Sequence, residues 1–559
     1  MPTKTEDTLA KMNREAEERD AQRRAEQLKL PYLDLALIPI ETDALALIPE
    51  KEALVAQIAA IETKSKDVVL AVFNSSDPET AAQIKSLEGK GFKPKIFIVS
   101  LSSLKRAWDF YKFAVKNAAP LTGRVDIDKD RLKDLKEKLV KLDDVREAIV
   151  SFDFRNYPTG QILEIVLAGA MANRASDIHF EPDEKQTRLR YRIDGDLRDV
   201  MQDMDKSIYK HLISRIKLLA NLKLNVGDKA QDGRITIGLG EGRDIELRVA
   251  IAPSEYGEVI VMRVLDPNVI NLSMAQLGFR VDDLKIIETE LKRPNGMILN
   301  TGPTGSGKTT TLYAFLKAKA SPDSKIITIE DPMEYHLEGI EQTQVDPEAD
   351  YTFVNGLKSM MRQDPDIILI GEIRDKETAE IAIQASLTGH LVFSTVHANR
   401  ASGAIPRLED LGVKATSIGP AMNLIIAQRL LKRLCVDCKK KAVIANEMKQ
   451  SLEKFISKLP ARVNKDDYKN FDVYEAVGCD KCGGSGYKGR VGIYELLKIT
   501  KEIEEILTTG GGEIQIDEFA KEKEGMVNMQ EDGILKVIQG LTTFDEVEKI
   551  TGPLEELTG

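Results

Sequence analysis

Between Met297 and Thr311 the sequence reads Met-Ile-Leu-Asn-Thr-Gly-Pro-Thr-Gly-Ser-Gly-Lys-Thr-Thr-Thr. A short apolar run gives way to Gly302-x-x-x-x-Gly307-Lys308-Thr309 and then to residues that can start a helix. A backbone that wraps around an anion needs glycines at its tight points, N–H groups turned inward and a helix N-terminus behind them. The spacing therefore predicts a phosphate-binding loop over Gly302, Pro303, Thr304, Gly305, Ser306, Gly307, Lys308, Thr309 and Thr310. A strand at Met297–Asn300 should enter it and a helix at Thr310–Lys319 should leave it. Lys308 is then a point charge for the β- and γ-phosphates of a nucleotide, and the Thr309 hydroxyl a ligand for Mg²⁺. A chance glycine-rich turn would lack that strand-before, helix-after setting.

The residues that follow repeat the pattern. Lys325–Ile329 reads as a strand running into Glu330-Asp-Pro-Met-Glu334, and 365–372 as a buried strand ending on Glu372. Glu377–Ser386 reads as a helix, and Leu391–Val396 as another strand closing at His397. Strands alternating with helices imply a parallel sheet, whose ligands collect at the strands' carboxyl ends. ATP hydrolysis needs a phosphate cradle, Mg²⁺, a carboxylate for the attacking water and cations for developing charge. Glu372 stands where an acid beside Mg²⁺ is expected, and Glu334 lies on the loop after the neighbouring strand. Either glutamate could be the base. His397 would face the γ-phosphate region, although a lone histidine is more often structural.

Upstream, Ser151–Pro267 reads as a separate domain. An apolar-faced helix at Pro158–Asn173 precedes alternating strands that carry Arg234, Arg248 and Arg263. An arginine on a strand is ordinarily a solvated residue; three beside a nucleotide domain raise the alternative of γ-phosphate or neighbouring-subunit contacts. Pro31–Lys112 reads as a small α/β interaction module with no catalytic cluster, preceded by a charged leader that is either a docking helix or a flexible arm. The chain divides as leader 1–28, N-terminal domain 29–114, linker 115–150, second lobe 151–267 and nucleotide domain 268–559. Helical patterns at Ile503–Leu507 and Ile534–Ile538 suggest C-terminal helices used for packing.

Four cysteines fall in two pairs, Cys435-Val-Asp-Cys438 and Cys479-Asp-Lys-Cys482. Four thiolates suit a closed tetrahedral Zn²⁺ site without a catalytic water, pinning the insertion 435–482 at its base. An iron–sulfur cluster or free thiols are the alternatives. The sequence has no long apolar run for a membrane span and no apolar signal-peptide core, so a cytoplasmic location is expected. A net charge of −11 and 5% aromatic residues count against a nucleic-acid translocase, and no nucleic-acid partner is expected. Keeping both Glu334 and Glu372 counts against a scaffold that binds nucleotide without turnover.

Taken together, these motifs resemble those of the secretion ATPases that power type IV pilus assembly and type II secretion. The matches are Ser176-Asp-Ile-His-Phe-Glu-Pro182, Gln231-Asp-Gly-Arg234, Gly302–Thr309, Ile329-Glu-Asp-Pro-Met-Glu334, Arg362-Gln-Asp-Pro-Asp366, Gly371-Glu-Ile-Arg-Asp375, the segment from Thr388 to His397, and Cys479 to Glu495. The resemblance implies an α/β fold: a RecA-like P-loop core, a preceding α+β lobe of PAS-like type, a small α/β N-terminal domain and a tetra-cysteine zinc insertion. It further implies a homohexamer with ATP held between lobes and arginines 234, 248 and 263 near the nucleotide. Such a motor works on an inner-membrane platform protein and is peripheral to that membrane through its partners. The related retraction ATPases lack the cysteine insertion, which favours extension. Relatives whose N-terminal domain binds cyclic-di-GMP carry Arg-Leu-Gly near its start. No such run lies between Met1 and Pro31, which counts against control by that nucleotide.

Overall fold

The computed structural model describes every residue except 1–3, 36–39, 41, 65, 114–123, 127–128, 153–159, 225, 239–243, 267–271 and 559. The expected boundaries at 114/115 and 267/268, and the start of the helix at Pro158, lie outside the described residues. The chain forms two compact units, Met1–Leu265 and Asp266–Gly559. Among the described residues no helix is long and apolar enough to cross a membrane.

In the first unit, β1 (Ile58–Lys64), β2 (Asp67–Val72) and β3 (Lys93–Ile98) form one sheet in that order. The first pair is antiparallel and the second parallel, with the helix Pro78–Gly89 as the crossover. The strand β1 has no counterpart in the sequence reading, because its apolar residues continue directly from the preceding helical pattern. The charged leader is a helix, Lys4–Leu28, and its described side chains hold it onto this domain. Glu18 accepts hydrogen bonds from the hydroxyls of Tyr32 (2.6 Å), Ser100 (2.7 Å) and Ser103 (3.1 Å). Arg24 donates to the Phe73 carbonyl at 2.6 Å and stacks 3.6 Å from the centre of that ring.

A second sheet takes in β4 (Arg124–Asp126), β5 (Ala175–Pro182), β6 (Thr187–Ile193), β7 (Asp196–Met204), β8 (Gln231–Gly238), β9 (Asp244–Ser254) and β10 (Gly257–Leu265). Their order is β4-β8-β9-β10-β5-β6-β7. Alternation puts Ile235, Ile237, Leu247, Val249, Ile260 and Met262 into the core, beneath the helices Gly160–Ala172 and Lys206–Leu219. The expected linker carries, in its described residues, the strand β4 and two helices, Lys129–Lys138 and Leu142–Val150. Their Leu132, Val145 and Ile149, with Leu139 between the helices, join the same core. High lysine and aspartate content reads as a linker ending in a surface helix over 132–142, whereas the thin apolar stripe there is buried.

The second unit is built on β11 (Gly296–Thr301), β12 (Ile326–Glu330), β13 (Glu341–Gln344), β14 (Ile367–Ile370), β15 (Leu391–Val396) and β16 (Met422–Leu434). Past a small ribbon of β17 (Lys440–Lys441) and β18 (Tyr474–Glu475) comes β19 (Tyr487–Lys498). The large sheet runs β13-β12-β14-β15-β11-β16-β19, with only the β16–β19 pair antiparallel. Met297 and Leu299 belong to the core on one face of the sheet and Ile298 to that on the other. Burial on both faces is why these strands read as continuous apolar runs without alternation. The helices Lys501–Thr508 and Glu513–Glu522 bury Ile503, Leu507 and Ile516 in the first of those cores. The cysteine insertion and the helices Met529–Ile538 and Phe544–Thr551 share another.

Candidate functional site

Parallel register brings the strand ends to one edge of the large sheet. Thr301 pairs with Val396, Ile370 with Ser394, and Ile329 with Ile370. Gly302, Asp331, Glu372 and His397 therefore follow within one or two residues of neighbouring strand ends. The helix after the loop spans Lys308–Lys319, two residues longer at its start than the sequence suggested.

The loop itself leaves no room for side chains at two of its glycines. A Cβ on Gly302 would stand 2.6 Å from the Gln428 carbonyl oxygen, and one on Gly307, at φ +91°, 2.8 Å from Gln428 Nε2. Lys308 Nζ donates to the carbonyls of Gly302 (2.8 Å) and Pro303 (3.1 Å). Burial pushes the Lys308 ammonium down, Glu372 pulls it back up and Arg429 pushes it down again. Ser306 Oγ is buried within the loop without a hydrogen-bond partner among the described residues. A tight glycine-shaped cradle, an orphaned buried hydroxyl and an ammonium at its rim fit a phosphate chain. Thr309 is half-buried in the first turn of the helix that leaves the loop.

Glu372 is the hub of the charged edge. Its carboxylate is hydrogen-bonded to Arg374 and lies 3.5 Å from His397 Nε2. Arg374 reaches on to Asp331 Oδ2 at 3.4 Å. Glu334 sits half-buried on the loop after β12. Glu330, in the same motif, is structural: it accepts from the Tyr313 hydroxyl, from Thr328 Oγ1 at 2.7 Å and from Gln342 Nε2 at 3.3 Å. Burial pushes its carboxyl up despite these bonds.

In the first unit the three arginines lie in one row across adjacent strands. Arg234 stands opposite Arg248, Arg248 opposite Arg263, and Arg263 opposite Asp177. Like charges facing one another across a sheet are unfavourable unless offset. Arg263 Nε donates to Asp177 at 3.1 Å, and Arg234 pairs with Glu246 at 3.5 Å.

The four cysteines converge at the neck of the insertion, with all sulfurs within 4.8 Å of one another. Cys435–Cys479, Cys438–Cys482 and Cys479–Cys482 lie 4.0, 3.9 and 3.8 Å apart. A tetrahedron of ~2.3 Å Zn–S bonds sets sulfurs about 3.8 Å apart, so the cluster fits Zn²⁺. Burial pushes the Cys482 thiol up, but the N–H groups of Cys479 and Gly486 and the neighbouring thiols outweigh it, leaving it at about 7.

The sequence reading did not single out Arg374, Gln428, Arg429 or Asp177 as site residues. Asp177 and Arg374 stood inside quoted motifs without a role. Gln428 carried one signal, a polar residue directly after the apolar run Leu424–Ala427.

The family of type II/IV secretion system proteins matches residues 155–549. The chain belongs to that family. Residues 28–112 separately match the MshEN domain. The type IV pilus assembly ATPase PilB of Myxococcus xanthus is 36% identical over 531 residues, 95% of this chain and 90% of that protein. The type II secretion system protein E of Dickeya dadantii is 43% identical over 394 residues, 70% of this chain and 76% of that one. The solved ATPase DotB of Legionella pneumophila aligns with a TM-score of 0.52 at 20% identity, over 70% of this chain and 95% of that one, a likeness of fold. Within the type II/IV secretion system family the chain is thus a P-loop ATPase of the type IV pilus assembly and type II secretion kind.

Proposed function

We propose that this secretion ATPase works as a homohexamer that hydrolyses ATP to extend a type IV pilus through an inner-membrane platform protein. The observation that carries the ATPase reading is the convergence of Lys308, Glu372 and His397 at one sheet edge, next to a glycine-shaped phosphate loop. Residues Gly302 to Thr310 hold the phosphates, and Thr309 and Glu372 hold Mg²⁺. When bound, the metal neutralises charge on the β- and γ-phosphates. Glu372 orients the attacking water, held in place by Arg374 and facing His397. Glu334 is the other candidate base. Arg234, Arg248 and Arg263 supply cations toward the nucleotide, as the family resemblance implies. Cys435, Cys438, Cys479 and Cys482 hold a structural Zn²⁺.

Pilus extension is favoured over secretion by the length of the match: the pilus relative aligns over 95% of the chain, N-terminal domain included, and the secretion relative over 70%. The test is genetic and biochemical together. Cells lacking the chain should lose surface fibres, and the wild type should restore them while Lys308→Ala does not. Intact fibres with blocked protein secretion would assign the chain to secretion instead.

A further inference from the structure

Gln428 is polar yet only 1% exposed, in the middle of the strand β16. Its Oε1 accepts two hydrogen bonds, from Asn300 Nδ2 at 3.0 Å and from Thr311 Oγ1 at 2.9 Å. Asn300 lies on the strand that enters the phosphate loop, and Thr311 on the helix that leaves it. One side-chain oxygen thus ties the loop's two anchors together from below. The same residue also bounds the loop at both ends, its carbonyl oxygen against Gly302 and its Nε2 against Gly307. Arg429 Nη1 donates to that carbonyl at 3.0 Å, and Arg429 Nη2 to Asn399 Oδ1 at 3.1 Å, two residues past His397.

We infer that Gln428 is a positioning residue of the ATP site, setting the shape of the phosphate loop from the neighbouring strand without touching the nucleotide. Two buried donors meeting at one buried acceptor are costly unless satisfied, so the loop's anchors are held at fixed separation. A phosphate cradle depends on where its N–H groups point, and these follow the anchors. The inference rests on the reading of Gly302–Thr310 as the nucleotide loop.

The experiment uses the full-length chain and a fluorescent ADP analogue. Gln428→Leu keeps bulk and removes the acceptor; affinity should weaken on the order of tenfold, with zinc content and secondary structure unchanged. Thr311→Val removes one donor and should weaken binding less. The double variant should be no weaker than Gln428→Leu alone, because both changes delete the same bond. In steady-state hydrolysis the loss should fall on KM, with kcat at saturating ATP largely kept. Unchanged affinity in Gln428→Leu, additive losses, or a loss confined to kcat would overturn the inference. Should Gln428→Leu fail to fold, wild-type affinity in Thr311→Val overturns it equally. Lys308→Ala is the control: if it too binds normally, the loop reading fails and not this inference alone.

Discussion

Lys308 keeps its ammonium against two carbonyls of its own loop, so its charge is already in place at the cradle. Lys308→Ala should abolish ATP hydrolysis and weaken ATP binding, since one charge and several charge-assisted hydrogen bonds are lost. Purified variant turning over ATP at the wild-type rate would contradict the assignment. Glu372→Gln keeps shape and loses charge. ATP should still bind, and kcat should fall by a factor on the order of 10². A greater loss in Glu334→Gln would make Glu334 the base and leave Glu372 to the metal. These residues were legible because each follows an apolar run at a spacing that the chemistry itself demands. Arg374 and Gln428 were not, since their meaning depends on which strands become neighbours. Periodicity reports which face a side chain takes, but not the order β14-β15-β11-β16.

Among the elements, the cysteine insertion is the most conditional. It leaves β16 at Cys435 and returns toward β19 after Cys482, and the four thiols close its neck. Metal binding to a site absent from the unfolded loop contributes directly to folding. Cys479→Ser should lose zinc and become protease-sensitive between the pairs while still binding ATP. Elemental analysis finding no zinc in freshly purified wild type would remove the metal, and iron with visible absorbance would replace it. A second tie is ionic and nearly sealed from solvent. Arg280 donates to Asp283 and Asp532, each at 2.7 Å, and Arg462 of the insertion donates to Asp283 at 2.8 Å. Asp532→Ala leaves Arg280 Nη1 without its acceptor, and also the Tyr494 N–H that donates to Asp532 at 2.9 Å. Unfolding of this unit should become easier by about 3–5 kcal/mol, the usual loss when one partner of a buried pair is removed. A denaturation midpoint equal to wild type would refute this. Of the elements that carry the tie, the helix bearing Asp532 was visible in the sequence at Ile534–Ile538. The tie was not, because its charges are 252 residues apart in the chain and each alone reads as surface.

For the whole molecule, the expected assembly gives the arginine row its meaning. Arg263 spends Nε on Asp177 while half of its side chain stays exposed. Arg234→Ala, Arg248→Ala and Arg263→Ala should each leave folding intact and lower kcat when measured on assembled hexamer. Equal rates in all three would return them to the role of solvated face residues. The sequence was least readable over 115–150, where charged residues outnumber Leu132, Leu139, Val145 and Ile149, which enter the core. One strand has a reach that neither of its ends reveals alone. β16 carries Gln428 under the phosphate loop and delivers Cys435, seven residues on, to the four-cysteine neck. At about 3.3 Å per residue that is roughly 23 Å of continuous strand. Between these two residues its pairing with β19 shifts register at Lys432–Leu434. A pushrod of this kind has little slack, so nucleotide should change amide exchange at 435–441 while residues 424–431 stay protected throughout. Binding and release would then be felt at the knuckle as a stroke.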